Sequence, residues 1–220
     1  EDDGSVLFLG ADKNASTISD DSYLKFAKAA PILKIISNMK DMQPAPKAIV
    51  FDCASGVQMT TLVALQLADC SVMCMRPTFQ FRVGTGDYLI RAIPDEIEKR
   101  KTNKKREVVL LPTSVAQVEV PESDPNRDQA MKQLSRLRDN AFRNIRLDII
   151  NEYNKESKGR DLGYTLNTEM TEDRDGAVIG IPEIERFKWE EGLLYSMEDI
   201  TEQEKLLKKQ YEKLAGILAR

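Results

Sequence analysis

Five short apolar runs punctuate a chain otherwise rich in charge, and they constrain its fold more than any other feature. They are Val6–Gly10 (VLFLG), Ala48–Phe51 (AIVF), Ser71–Met75 (SVMCM), Val108–Leu111 (VVLL) and Ala177–Ile181 (AVIGI). A strand that is apolar at consecutive positions, rather than at alternate ones, must be covered on both faces. Between the runs lie segments whose apolar residues recur at helical spacing. One runs from about Asp21 to Met42, with Pro31 inside it and Pro44 and Pro46 beyond. The others are Thr60–Ala68, Thr85–Lys101, Asp124–Asn154 and Thr201–Arg220. Buried strands alternating with helices predict an α/β fold, a doubly wound and mostly parallel sheet with helices on both faces. The polar segment Lys155–Asp175 reads as a mobile loop carrying at most a short strand around Gly163–Leu166.

In such sheets ligands bind beyond the carboxyl ends of the strands. The predicted tips are Gly10, Asp52–Gly56, Arg76-Pro77, Pro112-Thr113 and Pro182-Glu183. The available chemistry is narrow. Histidine is absent, which removes His-dependent triads, the commonest neutral-pH base and most zinc chemistry. Cys53, Cys70 and Cys74 are odd in number and fit no disulfide framework or zinc spacing, so reduced thiols in a cytoplasmic protein are expected. Carboxylates, hydroxyls, backbone amides and a hard metal such as magnesium remain. The net charge of -4, from 32 basic and 36 acidic residues, is too balanced to recruit nucleic acid or anionic lipid by field alone. No apolar run reaches the roughly 18 residues of a membrane helix.

Asp52 closes the AIVF run, and Gly56 follows four residues later. A carboxylate on a rigid strand tip suits work around a magnesium ion, and a glycine lets a backbone amide approach a terminal phosphate. Alternatively, Asp52 caps the next turn and Gly56 is a turn glycine. In sequence around them come Thr60-Thr61, Ala68-Asp69, the SVMCM run and Arg76-Pro77. This order of strand, Asp-x-x-x-Gly, helix, Ala-Asp, strand and proline resembles the ParA/MinD family of deviant-Walker P-loop ATPases. Ile181-Pro182-Glu183, then Phe187, Gly192, Tyr211, Leu214 and Ala215, look like that family's last strand, base-binding turn and closing helix. The likeness runs from about Val6 onward and is weakest between Val115 and Asp175.

The resemblance implies a nucleotide-dependent homodimer, switched by slow ATP hydrolysis, that positions DNA or a macromolecular assembly through a protein adaptor. Asp52 would serve the magnesium and attacking-water region as catalytic and metal residue. The Gly56 amide would sense the γ-phosphate of ATP, and Pro112, Thr113, Pro182 and Glu183 would flank the base. Two departures stand out. Ala54 and Ser55 occupy positions where the family has paired prolines, and no Gly-x-x-x-x-Gly-Lys-Ser/Thr phosphate loop occurs. A chain that begins inside the fold at Glu1 accounts for the second gap. Residues 1–220 then read as a single nucleotide-binding domain of this kind, incomplete at its N-terminus. The other account is a non-catalytic scaffold that acts through protein contacts.

Several further features have two readings. Arg76, Arg82 and Gly84-Thr85-Gly86 form either an anion site at a helix start or an ordinary loop and cap. Lys99, Arg100, Lys101, Lys104, Lys105 and Arg106 either grip DNA phosphates non-specifically or solvate a helix end. The final helix, with Leu206, Leu207, Tyr211, Leu214, Ile217 and Leu218 beside Lys205, Lys208, Lys209 and Lys213, has the composition of a membrane-surface helix. Packing on the globular body is the preferred reading there. Cys53 is read as a small core-edge residue rather than a nucleophile, because no base accompanies it.

Overall fold

In a computed structural model of the chain, the described residues are 34, 36–39, 41–43, 46–53, 59–99, 106–116, 125–171, 180–184 and 201–220. The chain divides into two compact units, Glu1–Leu67 and Ala68–Arg220. In the first, residues 34 and 36–39 are helical and α1 spans Met59–Leu67, with Ala64 and Leu65 buried. The strand expected at Ala48–Phe51 is not formed: the backbone there is irregular and Val50 is 88% exposed. A strand exists only as part of a ladder, and among the described residues none pairs with this run. The expected strand at Val6–Gly10 lies outside the described residues.

The second unit is mixed α/β. Strand β1 (Cys70–Met75) lies beside β2 (Arg106–Pro112), which lies beside β4 (Tyr164–Asn167), all parallel. The register sets Cys70 opposite Glu107, Met75 opposite Pro112, and Arg106 opposite Tyr164. The short strand read around Gly163–Leu166 is thus a full member of the sheet, whereas Lys155–Gly159, read as loop, is helical. Strand β3 (Val115–Ala116) pairs in parallel with β5 (Pro182–Glu183). Of the strand expected at Ala177–Ile181, residues 177–179 lie outside the described set, and the paired residues begin at Pro182.

Alternation along β2 divides the core. Val109 and Leu111 cluster with Met170, Ile181 and Ile184, and with Leu207 and Ile217 of the last helix, α6 (Glu202–Leu218). That helix therefore packs on the body, as its apolar stripe predicts. Its start is a full capping box, in which the Glu204 amide donates to Thr201 Oγ1 and the Thr201 amide donates to Glu204 Oε2. No described helix is long and apolar enough to cross a membrane.

The opposite face of the sheet, marked by Tyr164 and Val108, meets two long helices, each interrupted by a five-residue π segment. In the first, α2 (Phe79–Asp87) passes through π residues Tyr88–Ala92 into α3 (Ile93–Lys99). Pro94 explains the interruption. It has no N–H, so neither Ile90 (α spacing) nor Leu89 (π spacing) can receive a bond from position 94, while the Ile93 amide goes to the Tyr88 carbonyl. Both orphaned carbonyls have side-chain donors: the Tyr164 hydroxyl donates to Leu89 O at 2.8 Å, and the Arg160 guanidinium donates to Ile90 O. In the second helix, α4 (Arg127–Ile145) passes through π residues Arg146–Ile150 into α5 (Asn151–Gly159). No proline lies in this helix. Gly86 lies against it so closely that a Cβ there would stand 3.3 Å from the Asp148 carbonyl. Tyr153 covers the outer edge of β4, its hydroxyl donating to Tyr164 O and accepting from the Leu166 amide, both at 3.1 Å.

Replacing Tyr164 by Phe should leave Leu89 O without its donor and lower stability by about 1–3 kcal/mol in urea unfolding. Burial, and next the neighbouring Tyr153, hold the Tyr164 hydroxyl well above the ordinary tyrosine range, against the opposing pull of Arg160. The folded chain therefore keeps this proton at a pH where an unfolded tyrosine loses it. The associated stability is present below about pH 10 and is lost as pH rises above it. The wild type should accordingly lose more stability than Tyr164→Phe between pH 9 and 11. Equal losses would assign the alkaline transition to other groups.

Candidate functional site

The carboxyl ends of β1 and β2 are tied together at one point. The Thr113 amide donates to Met75 O at 2.7 Å, and Thr113 Oγ1 approaches the same oxygen at 3.4 Å. Beyond Thr113 the chain turns at Ser114, a non-glycine residue with φ of 52°. This left-handed conformation costs an L-residue roughly 1–2 kcal/mol. It lets the chain resume as β3, whose neighbour is the segment Gly180–Glu183. The Ile181 amide donates to Pro112 O at 2.8 Å, the Val115 amide donates to Ile181 O at 3.3 Å, and Val115 pairs with Pro182 and Ala116 with Glu183. Gly180 makes this approach possible. Its φ is +62°, and a Cβ on it would lie 2.1 Å from Pro112 O.

One rim therefore gathers Pro112, Thr113, Pro182 and Glu183, the four residues singled out in the sequence to flank a base. Pro112 is fully buried, whereas Thr113 and Glu183 are half-buried and present polar groups at the edge. Arg76 and Pro77 leave β1 on the same side, with Arg76 exposed. The edge thus offers a hydroxyl and a carboxylate, with Pro112 and Pro182 buried beneath it.

Asp52 belongs to the other compact unit, where it is exposed on the irregular segment 46–53 rather than on a strand tip. Gly56 lies outside the described residues, as do Phe187, Trp189 and Gly192. Cys53 is exposed, which corrects its reading as a core-edge residue. Partial burial, and then the Asp52 charge, push its thiol above the ordinary range, so it is no activated nucleophile. Among the described residues no group of three or more Cys, Asp or Glu side chains could hold a metal ion.

Two further readings are corrected. Gly84, Thr85 and Gly86 lie within α2, which starts at Phe79, so their amides are not those of a helix start. Arg82 is buried and turned inward to Asp148, at 2.8 Å. Of the basic cluster, residues 100–105 lie outside the described set, and Arg106 is buried at the start of β2, 6% exposed. It therefore cannot belong to a DNA-facing surface. Sequence reading missed Ser114, Arg160, Tyr164 and the Arg82–Asp148 pair. Only Pro94, a proline inside a helical pattern, signalled any of this.

Gly180→Ala should destabilise the chain by more than about 2 kcal/mol in denaturant unfolding, since it adds a left-handed penalty to a backbone collision at the rim. An unchanged midpoint would show that Gly180–Glu183 does not seat against Pro112. Alkylation of Cys53 should follow a pH midpoint above the ordinary thiol value of about 8.5, and Asp52→Asn should lower it. A midpoint indifferent to Asp52 would separate the two side chains. Compared with protein families, characterised proteins and solved structures, the chain matches none.

Proposed function

We propose that this chain is an ATP-dependent dimerisation switch of the ParA/MinD type, built on a doubly wound, P-loop-NTPase-like sheet, that positions DNA or a macromolecular assembly. The observation that supports this reading is the seating of Ile181 on Pro112 O, with Pro182-Glu183 beside Val115-Ala116, at the carboxyl end of a parallel sheet. Base-flanking residues of a nucleotide site have to meet at that place. Pro112 and Pro182 are buried and set the backbone of the rim, while the Thr113 hydroxyl and the Glu183 carboxylate address the polar edge of the base.

Asp52 is the residue proposed for the magnesium side. It is exposed on an irregular segment rather than on the strand tip from which that role was read, so the resemblance alone supports it. When bound with ATP, magnesium supplies charge neutralisation on the phosphate oxygens. Asp52 would hold and orient that hydrated group, and the Gly56 amide would donate to the terminal phosphate.

A second reading, a scaffold that binds no nucleotide and acts through protein contacts, is favoured by one sequence fact. No Gly-x-x-x-x-Gly-Lys-Ser/Thr occurs in these 220 residues, so the usual lysine and amide cradle for the β- and γ-phosphates is not among them. Calorimetry of the purified protein with ATP, with and without magnesium, decides between the two. The switch requires magnesium-dependent binding that Asp52→Ala abolishes and Glu183→Ala weakens about 3- to 10-fold, the loss of one good polar contact. It also requires a shift from monomer to dimer in light scattering when ATP is added. Absence of binding gives the scaffold, and binding unchanged in Asp52→Ala removes Asp52 from the site.

A further inference from the structure

Arg82 makes two bonds in opposite directions. Its Nη1 donates to the carbonyl of Pro77, in the loop that leaves the carboxyl end of β1, at 3.0 Å. Its Nε donates to Asp148 Oδ2, inside the second π segment, at 2.8 Å. The guanidinium is held between them over the Phe79 ring, 5.9 Å from its centroid, and only 9% of the side chain is exposed. The Arg82 amide makes the first helical bond of α2, to Thr78 O at 3.0 Å, so the side chain alone reaches back to the loop.

The two π segments differ in cause. Pro94 forbids a regular α register around the first. Nothing covalent forbids it in the second, where the Asn151 amide bonds Arg146 O but would stand in α spacing to Leu147 O. The π register is the one seen at Arg146–Ile150, and no proline excludes the α register there. Toward the N-terminus, among the described side chains between residues 127 and 144, Ala130, Ala141, Phe142 and Asn144 are half-buried and the others exposed; Ile145 is the first described one that is buried. Moving to the α register advances the exposed part of α4 by one residue, a turn of about 100° about its axis. A segment able to take a second register and bonded to the rim loop would meet the physical requirement for coupling between sites.

We infer that Arg82 is a positioning residue that couples the rim loop Arg76–Thr78 to the register of the π segment Arg146–Ile150, and so to the exposed helix α4. Use of this coupling by a nucleotide rests on the function proposed above; the coupling itself does not. Hydrogen–deuterium exchange on the purified protein tests both, with melting temperatures recorded alongside to separate local from global opening. Without nucleotide, Asp148→Asn should accelerate exchange at Arg76 and Thr78, and Arg82→Lys should accelerate it at residues 147–151. Each effect should be about 5- to 150-fold, the ordinary range of coupling between sites. Acceleration confined to each variant's own helix overturns the inference. With magnesium-ATP, exchange at residues 147–151 should change in the wild type and stay unchanged in an Asp148→Asn variant that still binds. Binding without that change in the wild type overturns nucleotide use of the coupling and leaves the switch standing. No binding removes the switch, and the experiment without nucleotide then decides the coupling alone.

Discussion

Strand β2 is paired on both edges and covered on both faces, and the Ala68–Arg220 unit is arranged around that fact. Its run from Val108 to Leu111 is buried throughout, which requires neighbours on every side. Parallel ladders place β1 and β4 on its edges, and α6 supplies Leu207 and Ile217 to the face of Val109 and Leu111. Because all three strands run the same way, their carboxyl ends lie toward one side. The rim where Thr113 meets Met75 follows from this direction.

A local conflict within the same unit explains much of its polar wiring. Pro94 lacks the N–H that would serve Leu89 O in π spacing or Ile90 O in α spacing, and a buried carbonyl left unpaired costs about 1–3 kcal/mol. The fold answers with Tyr164 and Arg160, residues 70 and more positions away in the chain. Tyr164 also begins β4, so the repair of one helix is tied to the strand that completes the sheet. Tyr153 adds the edge bonds of that strand and lies against Tyr164, with ring centroids 5.4 Å apart. The C-terminus is fastened in a similar way: Arg220 pairs with the Glu169 carboxylate, and Lys213 donates to the Glu169 carbonyl.

The rim combines close backbone approach with one uncommon conformation. Gly180 permits contact with Pro112, and Ser114 accepts a left-handed turn so that β3 can resume after β2. Such conformations persist where surrounding contacts over-determine them, and they concentrate at binding sites. Here the contacts come from both sides, through Met75 and Ile181.

Amino-acid order alone determined that SVMCM and VVLL are strands and that the charged segments beside them are helices, because apolar periodicity and proline placement are local properties; of the two strands only VVLL is buried, since Val72 and Cys74 of SVMCM are exposed. It also singled out Pro112, Thr113, Pro182 and Glu183. Local pattern failed where pairing decides. AIVF is as apolar as VVLL, yet only VVLL has ladders among the described residues, and Lys155–Gly159, polar throughout and read as loop, continues a helix. Arg106 looked like surface charge at the end of a basic run, but register opposite Tyr164 buried it. Arg82, Asp148 and Arg160 carry no signature of their own, since an ion pair or a carbonyl cap depends on which distant backbone arrives beside it, and only tertiary structure sets that.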